Sequence, residues 1–152
     1  LARLSLGWVF LWAFLDKLLG LGHETASKQA WMNGGHPTRG FLKFTSRGPL
    51  KGFYQHIAGA AWVDWLFMIA LAGVGIALVL GIGMWAAAVA GALLLVLMWS
   101  AVLPPENNPF MDYRLIFALL IIGLALEGAG DTLGLGRWWG RTRLVRRFPA
   151  LK

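Results

Sequence analysis

The chain contains no cysteine, which removes disulfides, thiolate metal sites and CxxC exchange chemistry from its repertoire. Charge is also scarce. Asp, Glu, Lys and Arg make up 14% of the 152 residues and hydrophobic residues 58%, whereas soluble domains carry about 25% charged residues. A small globule so composed would lack the polar surface to cover itself; a bilayer removes that need. Histidine is limited to His23, His36 and His56, all in one loop region. No His pair is therefore available inside the apolar segments to ligate a haem between helices, and no His/Asp/Glu cluster has metal-ligand spacing. P-loop, GxGxxG and Ser-His-Asp patterns are absent, and Gly73-Val74-Gly75 reads as apolar helix.

What remains is a chain of four apolar segments, about residues 4–21, 60–82, 84–103 and 113–133. About 20 apolar residues are needed to span a bilayer, and in lipid each span must be helical because the backbone has no water to pair with. The expected fold is all-α: a four-transmembrane-helix bundle over residues 1–140, with a basic tail at 141–152. The opening segment reads as a span rather than a signal peptide, because Asp16-Lys17 lie late in the run and no A-x-A-like site follows. The chain opens on Leu1 rather than on a methionine, so residues upstream are expected. Gly81-Ile82-Gly83 is short enough to force an antiparallel pair of helices, and Pro104-Pro105 ends the third span. Gly73, Ala77 and Gly81, and likewise Ala87 and Gly91, repeat every four residues, a spacing that lets helices approach closely. Trp8, Trp12, Trp62, Trp65, Trp85, Trp99, Trp138 and Trp139 fall mostly near span ends, as in an interfacial aromatic belt.

The net charge of +7 is concentrated in the long first loop and in the tail, which suits anionic lipid, a small anion or an acidic partner. Nucleic acid would need a basic face on a soluble module, and none is present. The arginine-rich tail places both termini in the cytoplasm by the positive-inside rule. The first loop then lies outside despite Lys28, Arg39, Lys43, Arg47 and Lys51. It spans about residues 22–58, too long for a plain connection. It is expected to fold as a lid over the outer end of the bundle, with a short interfacial helix starting near Gly52.

Ionisable groups within spans are costly and usually paired or functional. Asp16, Lys17 and Asp64 fall at similar depth near the outer end, which allows two readings. One is a brace, with a Lys17–Asp64 ion pair fixing helix register and Asp16 turned to the loop. The other is an outer polar pocket walled by Trp12, Trp65 and the lid, with His36 or His56 at its mouth, Lys17 attracting an anion and an Asp passing protons. At the opposite end, Arg3 is expected to bridge Glu127, deep in the fourth span, or Asp131; a proton path through Glu127 is the sharper alternative.

Several stretches also resemble the DoxX/DoxD-like membrane proteins. Trp12-Ala13-Phe14-Leu15-Asp16-Lys17-Leu18 is similar to that family's first-helix signature. Asn33-Gly34-Gly35 through Gly40-Phe41-Leu42, Val63-Asp64-Trp65-Leu66, Leu103-Pro104-Pro105-Glu106-Asn107-Asn108-Pro109-Phe110 and Ala129-Gly130-Asp131-Thr132-Leu133-Gly134-Leu135-Gly136 resemble the DoxD branch, in an order that covers nearly the whole chain. The resemblance implies a four-helix bundle in a prokaryotic-type plasma membrane. It also implies a link to thiosulfate:quinone oxidoreductase, in which thiosulfate is oxidised to tetrathionate and electrons pass to quinone, with a partner subunit. It places the site near Asp16, Lys17 and Asp64. No redox ligand within the chain itself is expected, so a bound quinone, contacted by Trp12 and Trp65, or a partner would carry the electrons. Two other roles compete with this one. The first is an accessory subunit, or homo-oligomer, that supplies helices and lipid contacts to a larger electron-transfer complex. The second is passive permeation of a small solute.

Overall fold

A computed structural model describes residues 1–149; the last three residues of the expected tail lie outside the described part. The described residues are helical with no strand. Four longer helices carry the fold: α1 (Ala2–Leu19), α3 (Ala61–Leu80), α4 (Met84–Ala101) and α5 (Tyr113–Leu126). The short α2 (Lys51–His56) lies in the first loop, and α6 (Gly136–Trp139) and α7 (Arg143–Arg147) follow α5. The long helices pack in the order α1–α3–α4–α5, with α5 also touching α1. Of these, α3 and α4 are long and apolar enough to cross a membrane.

The connection between α3 and α4 follows from its glycines. Gly81 (φ 72°) and Gly83 (φ 58°) both take left-handed backbone, which side chains disfavour. Gly81 stops α3 with its N–H on the Ala77 carbonyl, so the chain reverses within three residues.

The core is a strip along the facing sides of the helices, centred on Met68, Val74, Leu78 and Ile121. Its close approaches differ in part from the expected seams. Gly73 faces open space, whereas Gly75 lies against α1: a Cβ there would stand 2.9 Å from the Leu11 backbone nitrogen. The α1–α3 contact therefore uses the residue two positions further along. At Gly91 a Cβ would meet Ile121 Cδ1 at 2.7 Å, and Ala87 is buried, so the α4 seam is as expected.

The fourth helix is shorter than the span expected at residues 113–133. It ends at Leu126; Glu127 caps it, exposed, and Gly128 (φ 60°) turns the chain. Residues 129–131 then make a 3-10 turn against the α3–α4 reversal, where Gly130 packs on the Gly81 carbonyl with no room for a Cβ. Glu127 is thus at a helix end rather than deep in a span, which removes the basis for a proton path through it.

Arg3 also differs from expectation. It is buried, and its guanidinium donates to the carbonyls of Leu78, Val79 (3.0 Å), Thr132 (3.4 Å) and Leu133 (2.7 Å). Among the described residues it takes part in no salt bridge, with Glu127, Asp131 or any other acid. The last carbonyls of α3 have no partner within the helix and carry its negative dipole end, so they satisfy a cation as an acid would. Asp131 contributes its backbone carbonyl, which accepts from Arg137 Nε at 2.9 Å.

These packing differences give opposite expectations for two glycines two residues apart, on opposite sides of α3. Gly75→Val should destabilise the fold by about 1–3 kcal/mol through overpacking, and Gly73→Ala should be neutral or slightly stabilising. Thermal unfolding of the purified protein, followed by circular dichroism, checks both. Equal effects at the two positions would contradict the assigned seam.

Candidate functional site

The loop of residues 20–60 covers one end of the helices, and two buried carboxylates hold it there. Asp16 sits in the last turn of α1. Its carboxylate accepts the backbone N–H groups of His23 (3.3 Å) and Glu24 (3.1 Å), and Thr25 adds a further hydrogen bond. An acid at a helix C-terminus is disfavoured by the dipole; the loop amides offset this and fold the chain back just after Gly20 (φ 66°). Asp64 sits in the first turn of α3, where the dipole favours it. One of its oxygens accepts from the Thr38 backbone N–H (3.0 Å) and hydroxyl (2.6 Å), and the other lies 2.8 Å from His36 Nδ1.

Lys17 is not Asp64's partner. It bridges Glu24 at 3.2 Å, so the expected Lys17–Asp64 pair is replaced by two separate attachments of the loop. The reason is local: Asp16 draws residues 23–25 back over the end of α1, bringing Glu24 within reach of Lys17. Thr38 and His36 meanwhile satisfy Asp64 completely. Asp16 turns to the loop, as expected. His36 is half-exposed beside Asp64, while His56 ends α2 elsewhere on the lid.

The rest of the lid is pinned to α4. Tyr54 of α2 is buried, and its hydroxyl meets Ser100 Oγ (2.6 Å) and the Leu97 carbonyl (3.1 Å). Arg47 donates its backbone N–H to Ala101 (2.9 Å) and its guanidinium to Glu106 (2.7 Å). Leu42, Tyr54 and Ala101 make a small second core beneath the lid.

Under the lid lies a groove of about 540 Å³ along the flank of α3 and α4, within the range of small-molecule sites, about 300–1,000 Å³. Phe41 and Tyr54 roof it, Phe67 and Leu94 form its wall, and it reaches Ala70 and Ala90 near the middle of the two helices. Leu66 and Leu93 line its open side and are 61% and 58% exposed, so its entrance lies between apolar side chains. Cations stand at its rim: Lys17, which is paired, and Arg114 at the start of α5.

Arg114 was not singled out from sequence. Asp112 caps α5 by accepting the Arg114 backbone N–H (3.0 Å), and its carboxylate also pairs with the Arg114 guanidinium. That guanidinium lies 4.6 Å from the Tyr113 ring centre and 5.6 Å from that of Phe41, and its Nε is buried without a hydrogen-bond partner. It borders a second, more polar pocket of about 360 Å³ beside Arg47 and Asn107. The signal was present in Asp112-Tyr113-Arg114, an N-cap acid followed by an arginine entering an apolar run, but nothing local linked it to Phe41.

Trp12 and Trp65 do not line this groove. Trp12 packs against Trp8 (5.7 Å) and His23 (5.2 Å), and Trp65 meets Trp31 edge-on at 4.7 Å. Both hold the first half of the loop against α1 and α3. Among the described residues, no group of three or more His, Asp or Glu side chains is placed to hold a metal.

Compared with family models, curated proteins and solved structures, the chain matches none.

The two loop attachments predict different mutant phenotypes. Asp64→Ala strands the two buried donors of Thr38, at about 1–3 kcal/mol for each unsatisfied group, frees the half-exposed His36, and should raise amide exchange across residues 36–45. Lys17→Ala should leave that exchange unchanged. Hydrogen–deuterium exchange by mass spectrometry reads both, and equal protection in the two variants would show that Asp64 does not hold the lid.

Proposed function

We propose that this chain is a four-span integral membrane subunit of an electron-transfer system, related to the DoxX/DoxD-like proteins, and that its groove binds a quinone. The membrane reading is supported by the outer faces of the helices. Only 33% of the residues in the apolar windows of α3 and α4 are buried; a soluble core helix would be mostly covered. Ile69, Val89 and Leu119 are among the large apolar side chains left exposed. A helix apolar all round is a buried or lipid-facing helix, and these are not buried. On this reading α1 and α5 complete the bundle as the first and fourth spans, with the lid on the outer side.

The observation that carries the quinone reading is the groove itself. It is apolar, runs along α3 and α4 between exposed leucines, and counts Arg114, whose guanidinium is paired with Asp112, among its lining residues. A quinone ring fits between aromatic walls, its carbonyl oxygens accept hydrogen bonds, and its isoprenoid tail leaves through an apolar opening. Quinone reduction or quinol oxidation would supply the redox chemistry; the chain's own side chains bind, orient and cover the ring. Lys17, at the groove's rim and paired with Glu24, is the cation to attract an anionic electron donor; thiosulfate is the donor that the family resemblance implies.

An accessory role is the second reading, supported by the exposed apolar faces of α3 and α4, which neighbouring subunits could cover. One purification separates the two. Protein extracted gently from native membranes should carry quinone, measured by chromatography of an organic extract. Leu94→Trp, which fills the groove, and Arg114→Leu should each lower its occupancy about tenfold or more, since a hydrogen bond to a charged group contributes about 1.5–3 kcal/mol. Quinone retained at full occupancy in both variants would rule out the groove. Isolation without quinone but with haem- or flavin-bearing subunits would favour the accessory role.

A further inference from the structure

The segment after α5 has a chemistry that neither the groove nor the lid uses. Between residues 132 and 149 there are five arginines, Arg137, Arg141, Arg143, Arg146 and Arg147, and no acid. All five are exposed. Interleaved with them are exposed apolar side chains: Trp138 (64%), Leu144 and Phe148.

The segment is nevertheless attached to the helices. Leu135 donates its N–H to the Leu80 carbonyl at 2.8 Å, Arg137 Nε donates to Asp131, and Val145 is buried. Thr142 caps α7 through its hydroxyl, which accepts from the Val145 N–H at 3.4 Å. The start of this arginine-rich segment is therefore held beside the α3–α4 reversal, at the end of the bundle opposite the lid, and the segment continues through the short α7 with its five cations and three apolar side chains exposed.

We propose that residues 137–148 form a binding surface for the phosphates of anionic membrane lipids. This rests on the membrane reading but not on the quinone site. The two kinds of side chain decide the partner. An acidic protein face would pair with the arginines but give Trp138, Leu144 and Phe148 no apolar surroundings. A bilayer interface supplies phosphate and acyl carbon within a few ångströms of each other, and Trp prefers that level. Clusters of four to eight basic residues immediately beyond a span attract anionic lipid. The surface thereby fixes the depth of the α3–α4 end and holds this side of the protein toward the leaflet richer in anionic headgroups.

The test uses the full chain reconstituted in vesicles of equal parts phosphatidylglycerol and phosphatidylcholine, with retained lipids counted by native mass spectrometry after mild extraction. The wild type should retain phosphatidylglycerol about tenfold over phosphatidylcholine. The variant with all five arginines changed to glutamine should lose that preference, while Lys28→Gln/Lys43→Gln/Lys51→Gln in the lid should keep it. Equal retention of the two lipids by the wild type, or a preference that survives the five substitutions, overturns the proposal. So does loss of the preference in the lid variant alone, and so does an acidic protein captured in place of lipid. If the fivefold variant does not assemble, wild-type preference must fall between about 0.05 and 0.5 M salt, as screening requires, and a constant preference overturns it. Failure of the membrane reading looks different: alkaline carbonate would then release the wild type from membranes.

Discussion

Asp64 is a carboxylate at the head of α3 with almost no solvent contact, and its oxygens are consumed by Thr38 and His36. Removing a carboxylate from water is expensive unless hydrogen bonds replace the lost hydration, so the carboxylate and the loop segment that supplies the donors are obliged to stay together. That obligation fixes residues 36–38, and the turn into residues 41–45 then starts from a set place. Phe41 is carried over Arg114, and Tyr54 is carried down to Ser100 on α4. The groove exists because the lid is held at this point; without it, α3 and α4 would present a plain apolar flank. Asp16 plays the same part for the first half of the loop by collecting the amides of residues 23 and 24.

Both ends of the bundle are thus closed by buried charges satisfied by chain segments outside their own helix: Asp16 mainly by loop amides, Asp64 by one amide and the side chains of Thr38 and His36. At the opposite end Arg3 gathers carbonyls from the end of α3 and from the chain after α5, joining three separate stretches through one side chain. A charge satisfied by the backbone constrains chain path, whereas a pair of opposite side chains constrains only helix register. Between these two closures the helices share an apolar core strip and keep apolar outer faces, which is the arrangement expected where lipid rather than water surrounds the bundle.

The sequence made some of this legible and hid the rest for physical reasons. Gly81-Ile82-Gly83 announced the helix reversal because few other sequences can turn so tightly. The apolar runs announced α1, α3 and α4 because hydropathy is local and additive. The expected fourth span overruns α5: residues 127–133 include Glu127, Asp131 and Thr132 and do not continue the apolar run, and Gly128 and Gly130 let the chain turn and press against Gly81. The charged partners were misassigned consistently. Lys17 and Asp64, and Arg3 with Glu127 or Asp131, match as opposite charges at equal depth, yet the buried groups take backbone donors, backbone carbonyls, a threonine hydroxyl and a histidine ring as partners. Such partners are invisible to a reading that pairs side chains by sign. Arg114 was overlooked for a related reason, since its neighbours Phe41 and Tyr113 come together only after the lid has folded.

The four-span arrangement is the claim on which the groove's apolar entrance and the lipid-facing helices both depend, and the absence of cysteine makes it directly measurable. Single cysteines introduced as Asn107→Cys, Leu119→Cys and Thr142→Cys can be probed in intact cells with a membrane-impermeant maleimide, before and after permeabilisation. The account predicts labelling of position 107 in intact cells, of position 142 only after permeabilisation, and of position 119 in neither case. Labelling of positions 107 and 142 from the same side, or ready labelling of position 119, would contradict it.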